Sequence, residues 1–238
     1  MKFLLLGSSG MAGHTISTYL SEQGHTVDGF DRSAISQTTN IVGDVKNPDL
    51  VKNILLGTNY DSVINCIGVL NQFADENKEL AVYLNSYLPH LLADITKNSE
   101  TQVIHMSTDC VFSGKTGKYS EVDFKDGVTF YDRTKALGEL DDDKNITFRN
   151  SIVGPDMNKN GIGLLNWFMQ QNGTIRGYTK AMWTGLTTLE LAKAMEYAAK
   201  VKATGLYNMV YKESISKFDL LKLFNNYLRN NELVIESI

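Results

Sequence analysis

Cysteine, proline, tryptophan and long apolar runs are all scarce in this chain of 238 residues. Its two cysteines are too few for a disulfide framework in a chain of this length. No stretch approaches the roughly 20 apolar residues that a membrane-spanning helix needs. The apolar run after Lys2 is too short for a signal peptide and ends in a glycine-rich turn. We therefore expect a cytoplasmic protein with no membrane partner.

Neither sign of charge is in large excess. The 23 Lys and Arg residues and 27 Asp and Glu residues give a formal net charge of -4. Nucleic-acid sites need clustered basic residues, and the sequence has no such cluster. The four histidines lack the spacing of metal ligands. This composition argues against a nucleic-acid partner and predicts no metal site.

What the chain does contain is an alternation of apolar runs of strand length with stretches of helical periodicity. Such alternation is typical of βαβ units and predicts an α/β fold with a doubly wound parallel sheet. At 238 residues and 42% hydrophobic, the chain is large enough to bury the core of one such domain with a small second lobe. The predicted strands cover 2–7, 26–30, 61–66, 102–107 and 146–150.

A long helix is predicted over 77–98, with leucines at helical spacing that serve the core or a homodimer contact. Pro89 within it predicts a kink or a break. After residue 150 the strands thin out and glycines multiply, which predicts a smaller lobe over 151–238.

Glycines at three-residue spacing occupy positions 7–13 (GSSGMAG), between the first predicted strand and the first predicted helix. Amides at a helix N-terminus attract phosphate, and glycines keep the approach free of side chains. The spacing differs from the more familiar G-x-G-x-x-G, but its place between strand and helix gives it weight. The residues expected to hold a dinucleotide's phosphates are Gly7, Ser9, Gly10, Met11 and Gly13.

Acidic residues follow further along. Asp31 lies roughly 20 residues beyond the glycines, where an acidic side chain binds the adenosine ribose hydroxyls. Arg32 beside it can instead receive a 2′-phosphate, so the choice between NADH and NADPH stays open. Asp44, next to Val45, either contacts the adenine or forms a turn.

Tyr131 and Lys135 are four residues apart, which places them on one face of a helix. An ammonium near a phenol favours phenolate and lowers the pKa of the phenol. Tyr131 can then protonate a carbonyl oxygen as hydride reaches the carbon. Ser107 and Thr108, at the end of a predicted strand, supply hydroxyls. Together with the glycine motif, these residues predict an oxidoreductase.

The chain resembles the extended short-chain dehydrogenase/reductases, and among them the dTDP-4-dehydrorhamnose reductases and related nucleotide-sugar reductases. The similarity covers most of residues 1–155 and weakens beyond, and the chain stops short of the usual end of these proteins, so we expect a compact or a truncated relative. The similar segments are GSSGMAGH (7–14), GDV (43–45), VINCIG (63–68), HMSTDCVFSG (105–114), YDRTKALGE (131–139) and FRNS (148–151).

The resemblance implies a Rossmann-type domain over 1–150 that binds NADH or NADPH, and a substrate-binding lobe over 151–238. It implies that Thr108 hydrogen-bonds the substrate carbonyl, that Tyr131 is the acid, and that Lys135 binds the nicotinamide ribose and tunes Tyr131. Ser107 is an alternative to Thr108. The cofactor is further lined by Cys66, Ile67 and Gly68, and the substrate by Ser107, Asp109, Cys110, Asn150 and Trp183.

Two of the implied residues have alternative interpretations. Trp183 either stacks on the substrate or packs within the lobe. Asn85 matches a helix asparagine of the relatives and serves either structure or catalysis. Cys66 and Cys110 are expected to be ordinary thiols, although neighbouring strand ends can bring them close.

The leading functional hypothesis is an NAD(P)H-dependent reductase of a 4-keto-6-deoxy sugar linked to a nucleoside diphosphate, in deoxysugar or cell-surface polysaccharide biosynthesis. One alternative is a nucleotide-sugar epimerase of the same fold, which recycles its cofactor. Another is a non-catalytic NAD(P)-binding subunit that regulates a partner enzyme; the intact Thr108, Tyr131 and Lys135 weigh against it.

Overall fold

The central layer of the fold is a sheet of seven parallel strands, seen in a computed structural model that describes residues 1–33, 39–158 and 161–238. The strands are β1 (Lys2–Leu6), β2 (Thr26–Asp31), β3 (Thr39–Val42), β4 (Ser62–Asn65), β5 (Gln102–Thr108), β6 (Ile146–Asn150) and β11 (Gly205–Asn208). They lie side by side as β11-β6-β5-β4-β1-β2-β3. The strand order therefore reverses between β1 and β4, which is where doubly wound sheets bind their ligands.

Helices cover both faces of this sheet. The helices among the described residues are α1 (Met11–Glu22), α2 (Pro48–Gly57), α3 (Asn71–Glu76), α4 (Lys78–Ala81), α5 (Leu88–Thr96), α6 (Phe130–Leu137), α7 (Leu164–Met169), α8 (Thr188–Val201) and α9 (Lys217–Leu228). Of these, α7 and α9 pack in a separate cluster formed by residues beyond 150. Residues 3–6 of β1 are all apolar because both faces of the strand are buried. Phe3 and Leu5 belong to the core shared with α1 and α8, whereas Leu4 and Leu6 belong to the core shared with α2 and α5. The predicted doubly wound α/β fold is confirmed.

The five predicted strands are all present, with bounds that differ by no more than one residue. One strand of the sheet, β3 at its edge, is not predicted from the sequence. Its burial pattern explains the omission, because Thr39, Asn40 and Val42 are exposed and no apolar run marks it.

The long helix predicted over 77–98 is divided: α4 leads into a π-helical segment, Val82–Tyr87, which leads into α5. Pro89 lacks an N–H and leaves the carbonyl of Asn85 without its helical donor. Gly138 lies against that carbonyl, since a Cβ on Gly138 would be 1.8 Å from the Asn85 oxygen. The interruption predicted from Pro89 is thus a widened turn against which α6 sits closely.

Residues beyond 150 form three small strand pairs and also return to the large sheet. The pairs are β7 (Ile152–Val153) with β10 (Leu186–Thr187), β8 (Thr174–Gly177) with β13 (Val234–Ser237), and β9 (Met182–Trp183) with β12 (Ile215–Ser216). β11 extends the large sheet, and α8 packs on α1. Part of the segment that the sequence assigns to the lobe therefore belongs to the sheet layer.

Candidate active site

The glycine-rich turn joins β1 to α1 at the reversal point of the sheet. Gly7 has a φ of +80°, a conformation that strains other residues. At Gly13 a Cβ would lie 2.0 Å from the carbonyl oxygen of Gly7, so helix and turn are in direct backbone contact. Gly10 precedes Met11, the first residue of α1, and within the described residues no side chain caps this N-terminus. Amides at the start of α1 are therefore available to an anion.

Asp31, at the end of β2, is attached to this turn. Its carboxylate accepts hydrogen bonds from the Ser9 amide at 2.9 Å and the Ser9 hydroxyl at 2.7 Å, and a short one from the Ser8 hydroxyl. These bonds fix the carboxylate beside the helix N-terminus. Spacing alone could not show that the acidic residue and the turn are one hydrogen-bonded unit.

A cavity of about 640 Å³ opens beside the turn, within the ~300–1,000 Å³ usual for ligand sites. Asp44 on its wall forms a turn, accepting a hydrogen bond from the Lys46 amide at 2.9 Å, while its side chain still faces the cavity. Both interpretations of Asp44 are therefore compatible with its position. The residues predicted to bind cofactor that line this cavity are Gly7, Ser9, Gly10, Asp31, Arg32, Asp44, Val45, Cys66, Ile67 and Gly68.

Thr108, Tyr131 and Lys135 meet at the carboxyl end of β5. Thr108 is the last residue of β5, and its hydroxyl oxygen accepts a hydrogen bond from the Cys110 amide at 3.2 Å. Tyr131 and Lys135 lie on α6, whose start is fixed by a capping box formed by Thr129 and the Asp132 side chain. Both Tyr131 and Lys135 are buried, and Tyr131 lies close enough to Thr108 for the Thr108 hydroxyl to act on the pKa of the phenol. The structure thus brings the three predicted catalytic residues together.

Burial governs the pKa of Tyr131 and raises it well above its ordinary value, while the hydrogen bond with Thr108 opposes the rise. The charges of Asp109 and Asp132 raise it further. The sequence argument expected the Lys135 ammonium to lower this pKa, and that expectation is wrong for this structure. Lys135 donates instead to the carbonyl oxygen of Met106 at 2.5 Å. The Tyr131 phenol is therefore protonated at neutral pH.

Lys135 occupies an unusually dry position for an ammonium group. Burial lowers the pKa of Lys135 to about 8, and the negative charge of Glu139 opposes this. Burial also raises the pKa of the neighbouring Cys66 thiol to about 12. Cys66 and Cys110 are both free thiols.

Ser107 and Thr108, which the sequence left as alternatives, have different surroundings. Successive side chains of a strand point to opposite faces. The Ser107 hydroxyl donates to Glu139 at 2.8 Å, and Glu139 in turn forms a buried ion pair with Arg149 at 2.7 Å. Thr108 is the hydroxyl that faces Tyr131. The geometry favours Thr108 for contact with a substrate carbonyl.

Asn85 has a fully occupied side chain. Its Oδ1 accepts from the Val69 amide at 2.8 Å, and its Nδ2 donates to the Val69 carbonyl and to the Thr134 hydroxyl. These bonds tie the loop after β4 to α6. They favour the structural interpretation of Asn85.

The residues predicted to contact substrate continue along the same edge of the sheet. Asn150 pairs in register with Thr108, is buried, and has an Oδ1 with no hydrogen-bond partner among the described residues. Asp109 is half-buried and Cys110 exposed just after β5. Trp183 lies on the lobe, where its indole N–H donates to the Ser151 hydroxyl at 2.8 Å. It is packed, as one interpretation expected, yet remains half-buried.

Sequence reasoning missed two charged residues near this site. Glu139 belongs to the motif at 131–139, and the only sequence signal for its role is that a carboxylate just after α6 can pair with Arg149 on β6. Lys217 begins α9 beside Trp183, and its ammonium lies 4.7 Å from the centre of the indole ring. Only the pattern Ser216-Lys217-Phe218-Asp219, a helix-start signal, marked that position.

Neither a metal cluster nor a membrane-spanning helix is present among the described residues. Over 1–33, 39–158 and 161–238, no cluster of His, Cys, Asp and Glu has the geometry to hold a metal ion. Over the same residues, no helix combines the length and apolar character needed to cross a membrane.

The strand order and its reversal between β1 and β4 are those of the Rossmann class of folds. The chain belongs to the family described as RmlD substrate binding domain, whose sequence model matches residues 1–238. The resemblance drawn from the motifs is thereby confirmed.

Curated relatives match a little over half of the chain. A probable low-salt glycan biosynthesis reductase, Agl14, of Haloferax volcanii is 33% identical over 148 residues, covering 58% of this chain and 48% of the relative. The dTDP-4-dehydrorhamnose reductase of Salmonella typhimurium is 29% identical over 160 residues, covering 64% of this chain and 52% of the relative. The chain spans about half the length of the curated relatives it matches.

Solved structures share the fold over the whole chain. A hypothetical dTDP-4-dehydrorhamnose reductase from Sulfolobus tokodaii superimposes with a TM-score of 0.85 at 23% identity, covering 100% of this chain and 86% of that one. The dTDP-4-dehydrorhamnose reductase of Bacillus anthracis, solved in complex with NADP, gives a TM-score of 0.84 at 18% identity, covering 100% and 84%. At these identities the likeness is one of fold.

Proposed function

We propose that the protein is an NAD(P)H-dependent reductase that transfers hydride to the keto carbon of a nucleotide-linked 4-keto-6-deoxy sugar. The observation that carries the proposal is the meeting of the Tyr131 phenol with the Thr108 hydroxyl at the end of β5, with Lys135 buried beside them. Carbonyl reduction requires an acid, a hydrogen-bonding hydroxyl and a cation close together. Here they lie beside a glycine-rich turn suited to a dinucleotide. Membership of a family with reductases among its relatives supports the choice of reaction.

The turn fits a dinucleotide. The close contact of Gly13 with Gly7 leaves no room for side chains where a pyrophosphate approaches. Asp31 is fixed where it can accept hydrogen bonds from the adenosine ribose, and Arg32 stands next to it on the cavity wall. We propose that this cavity takes NADH or NADPH, which supplies the hydride when bound.

Side chains of the protein then donate the proton and stabilise the negative charge on the carbonyl oxygen. The high pKa of the buried Tyr131 keeps its phenol protonated, so it can donate that proton to the carbonyl oxygen as negative charge develops there. Thr108 donates a hydrogen bond to the same oxygen. Lys135, still largely charged at neutral pH, lies near Gly68 on the cofactor side, where it binds ribose hydroxyls and favours transfer of the proton.

We further propose that residues 1–150 form the cofactor domain and that the lobe within 151–238 covers the sugar. Reduced nicotinamide and nucleotide-linked sugars are made in the cytoplasm, so we place the protein there.

A homodimer is proposed through the exposed apolar side chains of Val82, Tyr87 and Leu137, on the π-helical segment and α6. Sedimentation of the purified protein tests this, and a monomer at micromolar concentration would contradict it.

The reaction is tested by a panel of dTDP-, UDP- and GDP-linked 4-keto-6-deoxy sugars, each assayed with NADH and with NADPH. Oxidation of one cofactor per sugar reduced supports the proposal. Turnover of the sugar without net oxidation would identify an epimerase. Tight cofactor binding without turnover of any sugar would identify a non-catalytic subunit.

A further inference from the structure

Lys217 holds a positive charge at the face of the lobe that adjoins the reaction site. Its half-buried ammonium lies 4.7 Å from the centre of the Trp183 ring, a cation–π contact. The indole cannot easily move away, because its N–H is bonded to Ser151 and its ring packs on Gly185, where a Cβ would lie 2.1 Å from it. The ammonium is therefore positioned over a fixed aromatic surface.

The charge at this point belongs to the side chain and not to the helix end. The Lys217 amide donates to the Ala181 carbonyl at 2.9 Å, the Phe218 amide to the Tyr178 carbonyl at 3.1 Å, and the Asp219 amide to the Ser216 hydroxyl at 3.0 Å. The first amides of α9 are thus already satisfied. An anion here would have to be recognised by Lys217 itself.

The surroundings of Lys217 leave its donors available. Partial burial lowers the pKa of Lys217, and Asp109, at the end of β5, is the charge that opposes the decrease. Asp109 acts on it from the sheet layer, but Lys217 takes part in none of the ion pairs formed between described residues. The Lys217 ammonium is half-buried, has no ion-pair partner among the described residues and lies near the end of β5. Such a group can bind an anion.

Lys217 is connected to the reaction site through a short series of neighbouring residues. Trp183 is bonded to Ser151, which follows Asn150, and Asn150 is the register partner of Thr108. A sugar whose keto oxygen lies at Thr108 and whose anomeric substituent extends toward the lobe would present that substituent to Lys217. In a nucleotide-linked sugar that substituent is a diphosphate.

We propose that Lys217 binds the diphosphate of the nucleotide-linked substrate, with Trp183 holding its ammonium in place. This deepens the function proposed above and rests on it. A competing explanation is that Lys217 serves only as an electrostatic link between the lobe and Asp109.

Equilibrium binding of UDP and dTDP separates the two explanations without requiring turnover. Titrations are followed by calorimetry and by the fluorescence of Trp183 in a Trp167→Phe background, since the chain has two tryptophans. Lys217→Gln should weaken nucleoside diphosphate binding by about 10- to 100-fold, as expected for a charge-assisted hydrogen bond. Uridine or thymidine, which carry no phosphate, should show little change, and Lys217→Arg should restore most of the diphosphate affinity.

Lys222→Gln is the matched control, because Lys222 also lies over an aromatic ring, that of Phe218 at 5.2 Å, on the same helix. It should bind nucleoside diphosphates as the parent does. Asp109→Asn should raise their affinity, since it removes a negative charge near the anion.

Three other outcomes would contradict the proposed role of Lys217. Equal weakening by Lys217→Gln and Asp109→Asn would show an electrostatic link and refute the diphosphate site, as would undiminished binding in Lys217→Gln. If the parent binds NADPH but neither nucleoside diphosphate, the proposed substrate class itself falls, and the role of Lys217 with it.

Discussion

Ser107 donates its hydroxyl hydrogen to Glu139 at 2.8 Å and is thereby turned toward the interior, away from Tyr131. The adjacent Thr108 lies on the side of Tyr131, where its hydroxyl acts on the pKa of the phenol. Two neighbouring hydroxyls of the same motif therefore have separate tasks. One anchors the strand end to a buried ion pair, and the other faces the substrate.

This division predicts unequal effects of removing the two hydroxyls. Thr108→Ala should lower kcat about 10²- to 10³-fold, the usual effect of losing a donor to a developing oxyanion. Ser107→Ala should lower kcat much less and act mainly on stability. Steady-state kinetics and thermal melts of both variants provide the test, with Thr108→Ser as the variant that keeps the hydroxyl. A larger kinetic defect in Ser107→Ala would reverse the assignment.

Removing the phenolic hydroxyl of Tyr131 should abolish most of the reduction. Tyr131→Phe keeps the buried ring, so the protein should fold and bind cofactor normally. General acid catalysis contributes about 10² to 10⁴ in rate, and turnover should fall by that order. Nearly full activity in this variant would mean that another group supplies the proton.

Lys135 should make cofactor binding depend on pH. Its pKa of about 8 means that the ammonium is charged below that pH and loses its charge as the pH rises through it. We expect the Kd for NADH or NADPH to rise above about pH 8 in the parent protein. Lys135→Met should bind weakly at every pH and lack this dependence. The measurement is a fluorescence titration of the cofactor from pH 6 to 10, run on both proteins, and parallel curves would refute the role of Lys135.

Asp31 should set cofactor preference. Asp31→Ala removes the carboxylate that favours a free ribose diol, so the ratio of NADPH to NADH affinity should increase by about tenfold, consistent with the ~1.5–3 kcal/mol of a charged hydrogen bond. Affinity for both should also decline, because Asp31 restrains the turn through Ser9. Ser9→Ala is the control, since it loosens the turn but keeps the carboxylate. An unchanged ratio in Asp31→Ala would show that Asp31 does not touch the ribose.

Removing one partner of the buried Glu139–Arg149 ion pair should destabilise the protein more than removing both partners. The side chains of Glu139 and Arg149 are 0% and 1% exposed, so Glu139→Gln leaves a buried guanidinium without its counter-charge. We expect a loss of about 3–5 kcal/mol in the free energy of unfolding. The double variant Glu139→Gln/Arg149→Met should recover part of that loss in urea denaturation. Additive losses would show that the two side chains are not coupled.

Much of this architecture could be predicted from sequence because its signals are local. Residues 3–6 of β1 form an apolar run, the glycines stand at a strand-to-helix boundary, and Tyr131 and Lys135 have helical spacing. Contacts between distant segments leave no such signal. The bonds of Asp31 to Ser8 and Ser9, the pairing of Glu139 with Arg149, and the placement of Lys217 over Trp183 depend on how separate elements pack.

The packing of separate elements also explains why the expected lowering of the Tyr131 pKa by Lys135 is wrong. Helical spacing correctly places Tyr131 and Lys135 on one face, but it carries no information about solvent. Once both are buried, loss of hydration is the largest influence on each pKa.

The contact between Gly138 and the carbonyl of Asn85 limits how this protein can vary. Even an alanine at 138 would place a carbon 1.8 Å from that oxygen, and the end of α6 would have to shift to make room. Tyr131 and Lys135 would move with α6, whereas Thr108 would stay with β5. The distance between the Tyr131 phenol and the Thr108 hydroxyl would therefore increase. A methyl group added outside the cavity would thus act as a defect in catalytic alignment, and Gly138→Ala is a substitution that selection for activity would remove even where the fold survived it.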